Sequence, residues 1–158
     1  MIIIGAKGEI NVEDVLKRLK KLNCKFAQIV NADYVCGKEH LIVAYEFAKR
    51  AFKNGRNICK NIEMEFLIYA SAKKQIKDAL AIIGAKEKGN YAFIFDGIKK
   101  RDGIKFVKDL GLKIDDKVIE PTIEKLKKFV EDKELKTIDK SFYYDLIFEK
   151  MAMMDAIK

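Results

Sequence analysis

Histidine occurs once in this chain, proline once and tryptophan not at all, and its three cysteines show no C-x-x-C spacing. With His40 alone available, a Ser-His-Asp or Cys-His arrangement has at most one way to form. His40 stands beside Leu41 near the start of an apolar helical stretch, where a surface or capping role is expected and a catalytic one is not. A zinc site needs clustered ligands, and one histidine with Cys24, Cys36 and Cys59 scattered does not supply them. No metal, cofactor or catalytic residue is therefore expected. The cysteines read as reduced, mostly buried thiols of a cytoplasmic protein. So few glycines (nine) and prolines exclude a long low-complexity or disordered tract. No apolar run approaches the ~18 residues of a membrane span. The opening MIIIGAKGEI is too short and too soon charged for a secretory signal.

What is present is a core and a great deal of charge. Apolar residues make up 49% of the chain and charged residues 35%, mostly Lys and Glu, with a net charge of +8 and a pI near 9.2. Such a Lys/Glu bias occurs in proteins from hot environments, and the positive balance fits a polyanionic partner. With 158 residues and no linker or repeat, a single mixed α/β domain spanning 1–158 is expected, its sheet of about four strands packed with several helices.

The chain reads as follows. A strand over 1–6 stops at Gly5 and Gly8. A helix capped by Asn11 buries Val12, Val15, Leu16, Leu19 and Leu22. A second strand covers Cys24 to Val30, and a long helix runs from about Glu39 to Lys53, closed by Asn54-Gly55. Met64 to Tyr69, aromatic and aliphatic, is most simply a third strand. Ser71 then caps a helix burying Ile76, Ala79, Leu80 and Ile83, closed by Gly84. Tyr91 to Phe95 is a further strand. Pro121 and Thr122 open another helix, with Ile123, Leu126 and Phe129 inward. A last helix spans about Ser141 to Ile157.

One segment imitates a phosphate-binding loop. Ala32 to Glu39, ADYVCGKE, stands between a strand and a helix. Such a loop needs several open backbone amides, a Lys, and then a hydroxyl for magnesium. Here Glu39 takes the hydroxyl position, Ala32 replaces the first Gly, and Tyr34 and Val35 suit a packed turn. A small nucleotide-binding enzyme using the Gly37-Lys38 turn is the alternative reading; a tight turn is preferred. The pairs Asp115-Asp116 and Glu131-Asp132 lie among lysines and read as solvated loops, with nothing to raise their pKa values.

Two features rise above background. Basic groups flank the segment at 64–69: Lys49, Arg50, Lys53, Arg56 and Lys60 before it, Lys73, Lys74 and Lys77 after it. Asn57 and Gln75 add groups able to read a base or sugar edge. The second is the last helix, where Phe142, Leu146, Ile147, Met151, Met154 and Ile157 form one stripe while Tyr144, Phe148 and Met153 put apolar groups elsewhere. A helix apolar on several faces is buried or shared with a partner, and methionines adapt to imperfectly matched surfaces.

At this point the residues resemble a known family. The stretch NADYVCGKEHLIVAYEFA, preceded by Gln28, is similar to a family pattern of Gln, a variable turn, Gly, His-Leu and spaced alanines. EFLIYASAKKQIKDALAIIG, from Glu65 to Gly84, resembles the family's Glu-led strand running into a Ser-Gly-x-Arg-Gln-Ile helix start. Ser71, Gln75, Ile76, Ala79 and Gly84 match; Ala70 stands for Leu, Ala72 for Gly and Lys74 for Arg. Lys keeps the charge at that last position but not the bidentate fork. The family is the small regulatory subunit of KEOPS (EKC), the complex that makes the threonylcarbamoyl modification on the adenosine beside the tRNA anticodon. The resemblance implies a non-catalytic subunit that docks on the atypical kinase-like ATPase of the complex and holds the 3′ CCA end of tRNA. The residues assigned to RNA are Lys53, Arg56, Asn57, Lys60, Ser71, Lys73, Lys74 and Gln75. Those assigned to the partner are Leu146, Ile147, Met151 and Met154.

Overall fold

The computed structural model describes residues 1–130, 139 and 142–158. The start of the last helix at Ser141 and the Glu131-Asp132 pair lie outside the described residues. In chain order the elements are β1 (Ile2–Glu9), α1 (Val12–Lys20), β2 (Phe26–Asn31), α2 (Lys38–Lys53), α3 (Ile62–Ser71), α4 (Ile76–Ile83), β3 (Lys88–Asp96), α5 (Lys100–Asp109), β4 (Lys113–Ile114), α6 (Ile123–Leu126) and α7 (Tyr143–Ala156). They form two compact units, Met1–Asp33 with Gly84–Ile119, and Tyr34–Ile83 with Glu120–Lys158.

The first unit holds an antiparallel sheet in the order β2-β3-β1-β4. Alternate residues of three strands, among them Ile4, Ala27, Ile29, Tyr91, Phe93 and Phe95, share one core with Val15 and Leu19 of α1 and Val107 of α5. That is the period-2 strand pattern meeting the helical stripe. Asn11 accepts from the Asp14 amide at 2.9 Å and caps α1 as its sequence requires. The expectation that β1 stops at Gly5 and Gly8 is corrected: the strand runs through both, pairing Gly5 with Ala92 and Gly8 with Gly89. A Cβ on Gly5 would lie 2.5 Å from the Asp115 carbonyl oxygen. The glycine therefore marks a close backbone approach inside a strand, where a strand end was expected. The Gly5 amide also donates to Asp116 Oδ1 at 2.9 Å. The pattern did not single out α5, where six of ten residues are charged.

The second unit is helical among its described residues, and here the expected third strand is wrong. Residues 64–69 lie inside α3, which Asn61 caps by accepting from the Met64 amide at 2.9 Å. Every residue from Glu65 to Ser71 is buried, so the run shows no polar face, and a short all-apolar run does not tell a buried helix from a buried strand. The sheet still has four strands, because β4 supplies the missing one. Ser71 does not open the next helix. It is the last residue of α3, its hydroxyl donating to the Ile68 carbonyl and accepting from the Lys73 amide, both at 3.2 Å. In α4, Ala79 and Ile83 are buried but Leu80 is exposed.

His40, expected in a surface or capping role, is fully buried. Its Nδ1 accepts from the Cys36 amide at 3.0 Å, its Nε2 donates to the Ala70 carbonyl at 2.8 Å, and its ring meets Phe129 edge-on at 5.4 Å. The imidazole thus ties the turn before α2 to the end of α3. A proton on Nδ1 would set N–H against N–H in a buried place. Burial, opposed by the Ala70 contact and reinforced by Lys125, lowers the pKa of His40 to about 4.

Two predictions follow from the second unit. His40 is neutral when folded down to about pH 4 but takes a proton near pH 6.5 when unfolded, so its contribution is complete above that value and lost as the pH falls toward 4. Urea unfolding should show about 2 kcal/mol less stability at pH 5 than at pH 7 from this group. An equal fall in His40→Gln would assign the effect to other groups. Ala72, which ends α3, sits in the left-handed region at φ 55°, the one non-glycine residue with positive φ among the described residues. That explains the glycine of the family pattern at this place. Ala72→Gly should raise stability by about 1 kcal/mol in the same assay, by removing the Cβ penalty; a loss of stability would mean that the penalty is absent.

Candidate nucleic-acid interface

The turn that imitates a phosphate loop is closed. Gly37 has φ 88°, and a Cβ there would collide with the Tyr144 hydroxyl. The tyrosine of α7 fills the space a phosphate would need. The Cys36 amide, which a cradle would point at its ligand, is spent on His40. Burial pushes the Cys36 thiol up to about 11, with Lys125 and Lys128 only partly offsetting this, so it holds no ready thiolate. Among the described residues no group of three or more His, Cys, Asp or Glu is placed to hold a metal ion.

The end of α3 opens onto a pocket of about 320 Å³. Ser71, Ala72, Lys73 and Lys74 line one side, Ile82, Lys128 and Phe129 another, and Lys150, Met153, Met154 and Ile157 of the last helix region the third. Four lysines thus share one concavity with apolar walls. Of the residues assigned to RNA from sequence, Ser71, Lys73 and Lys74 meet here, and Met154, assigned to a partner, joins them. Ser71 shapes the turn, since its hydroxyl is already bonded on both sides and it is 1% exposed. Gln75 is exposed and does not line the pocket.

The other basic residues lie at the opposite end of α3, in or beside the loop from 54 to 61. Lys53, Arg56, Asn57 and Lys60 are all exposed. The loop is tied to the last helix, because Arg56 donates to the backbone carbonyl of Asp155 at 2.9 Å, next in sequence to the pocket-lining Met154. Arg50 and Arg56 also approach the Asp155 carboxylate at 3.9 and 3.8 Å. These last contacts are exposed on the arginine side and weak in energy. Their value is positional.

Beneath this surface runs a buried polar chain that no motif or spacing signals. Glu65, fully buried, accepts from the Ile58 amide at 3.0 Å, from the Cys59 amide at 2.8 Å and from Lys158 Nζ at 2.5 Å. Lys158 also donates to the Tyr69 hydroxyl at 2.6 Å, and that hydroxyl donates to Asp155. Burial works to raise the Glu65 pKa, but the hydrogen bonds from Lys158, Cys59 and Ile58 together with the lysine charge outweigh it and hold the carboxyl below its ordinary value. Burial and the bond to Asp155 raise the pKa of Tyr69.

The four residues assigned to a partner are placed inward. Leu146, Ile147, Met151 and Met154 are all at most 5% exposed, and α7 packs on α2 and α3. They seat the helix in its own unit. Among the described side chains, the large apolar groups that its region leaves in solvent are Phe142, Met153 and Ile157. No helix among the described residues is long and apolar enough to cross a membrane.

Comparison with known proteins agrees with the resemblance read from the sequence. The family model described as kinase binding protein CGI-121 matches residues 10–155. The regulatory protein Cgi121 of Methanocaldococcus jannaschii is 39% identical over 121 residues, 76% of this chain and 74% of that protein. The KEOPS complex subunit Cgi121 of Pyrococcus abyssi is 37% identical over 109 residues, 68% of this chain and 61% of that protein. With the match running through both units, this chain belongs to the CGI-121 family of kinase-binding proteins.

Proposed function

We propose that this chain is a non-catalytic regulatory subunit of a cytoplasmic KEOPS complex, binding the kinase-like ATPase subunit and the 3′ CCA end of tRNA in support of threonylcarbamoyladenosine formation. Residues 1–158 serve as one functional domain. The observation that carries the RNA part is the pocket at the end of α3, where Lys73, Lys74, Lys128 and Lys150 surround walls made by Phe129, Met153, Met154 and Ile157. Cationic side chains match phosphates, and apolar walls match the faces of unpaired bases. A single-stranded end satisfies both, whereas duplex RNA hides its bases. Lys53, Arg56 and Lys60 add further cations, and Asn57 and Gln75 neutral polar groups, for more of the same RNA strand, with Ser71 holding the shape of the turn.

The kinase-like subunit docks on the outward side of the last helix. Leu146, Ile147, Met151 and Met154 support this face from within, and Phe142, Ala152 and Ala156 are exposed on it. The family description as kinase binding and the name of the Pyrococcus abyssi relative support this reading.

Two measurements test it. Affinity for tRNA should fall when the CCA end is trimmed, and Lys73→Ala with Lys74→Ala should weaken binding and lower the salt slope by about one per lost phosphate contact. Equal affinity for intact and trimmed tRNA would remove the CCA assignment. Ala152→Arg lies at an exposed position and should leave the fold unchanged while abolishing co-purification with the kinase-like subunit. Retained co-purification would move the docking face elsewhere.

A further inference from the structure

Glu65 is spent on backbone. Three nitrogen donors converge on its buried carboxylate, beside the Cys59 thiol that also bonds it, and two of them are the amides of Ile58 and Cys59, in the middle of the basic loop. The third is Lys158, whose side chain is 2% exposed and which follows the last helix. Glu65 is fully buried, and among the described residues its bonds run to this loop and to Lys158, so its charge is held for the sake of the loop. The loop has little else to define it. Its flanks are Asn54, which closes α2, and Asn61, which caps α3. Between them Arg56 bonds the Asp155 carbonyl and Asn57 bonds the Cys59 carbonyl at 2.9 Å. Ile58 is left 47% exposed, so apolar burial does little to fix the loop there. Apart from the Asn61 cap on α3, the ties of this loop among the described residues end on Glu65, on Asp155 or on the end of α2, and the first two of those are joined by Lys158 and Tyr69.

We infer that Glu65 is a positioning residue through which Lys158 and the end of the last helix hold the basic loop in its RNA-binding shape. Without the lysine, a buried carboxylate has lost its counter-charge and draws in water or protonates. Either response loosens its grip on the Ile58 and Cys59 amides. Arg56, Asn57 and Lys60 would then sample many arrangements, and binding would carry the cost of ordering them. The effect is transmitted: neither Glu65 nor Lys158 touches the RNA.

The inference rests on the reading of the loop as an RNA contact, and its test separates the two. Lys158→Met alone leaves an unpaired buried charge, so the paired variant Glu65→Gln with Lys158→Met is made beside it to keep the site neutral and folded. Amide hydrogen exchange and affinity for a short single-stranded RNA ending in CCA are measured on the wild-type chain and on the variants. The expected result is fast exchange at Ile58 and Cys59 with α2 amides still protected, and affinity for the RNA lower by about tenfold. Single and paired variants should lose affinity to a similar extent, because both act through one joint. Unchanged protection at Ile58 and Cys59 in the folded paired variant would overturn the inference, as would loosened amides with full RNA affinity. If the wild-type chain ignores the RNA, the proposed function fails, while the exchange data still decide whether Glu65 and Lys158 position the loop.

Discussion

A carboxylate without access to water must be matched by donors, and this requirement at Glu65 organises the second unit. One turn of α3 presents Glu65 and Tyr69 on the same side, four residues apart. The two residues bind different parts of the same end of the chain, Glu65 taking Lys158 and Tyr69 taking Asp155. Because α3 is buried around its whole circumference from Glu65 to Ser71, its polar groups have nowhere to go except to these partners. The loop before α3 and the segment after α7 are thereby fixed against one helix. A charge pair of this kind adds little net stability compared with apolar packing of the same volume. Its effect is to specify one arrangement.

The last helix serves two ends for a related reason. It is apolar on most sides, and the unit it belongs to can bury only one of them. Leu146, Ile147, Met151 and Met154 fill that side. What remains is divided between the pocket wall, where Met153 and Ile157 stand, and the solvent. Tyr144 takes a third role by closing the space over Gly37. A turn with the composition of a phosphate loop is thus filled by a side chain more than a hundred residues away in sequence, while a pocket with no motif at all gathers lysines from three segments.

Where local physics governed, the sequence was legible. Asn11, Thr122 and the Asn54-Gly55 pair act at helix ends as their chemistry dictates, and the aromatic strand around Tyr91 to Phe95 lies in the sheet. Where burial by distant segments governed, it was not. Residues 64–69 were read as a strand because full burial erases helical periodicity. His40 was read as a surface or capping group, and its burial was missed because a lone histidine carries no sign of the Ala70 carbonyl that waits for it. Asn61, which caps α3, is a local signal that the reading of the aromatic and aliphatic run after it did not use.

The sequence by itself determined the class of the molecule: a mixed α/β protein of high positive charge, short of histidine and cysteine, with the motifs of its family at Gln28 to Ala48 and Glu65 to Gly84. These are properties of composition, spacing and neighbours along the chain. Only the tertiary structure decided that Lys73, Lys74, Lys128 and Lys150 share a pocket, that Lys158 answers Glu65, and that Tyr144 shuts the turn at Gly37. Each of those contacts joins segments far apart in sequence. No period or cap records such a pairing, since it exists only once packing has brought the segments within reach of one another.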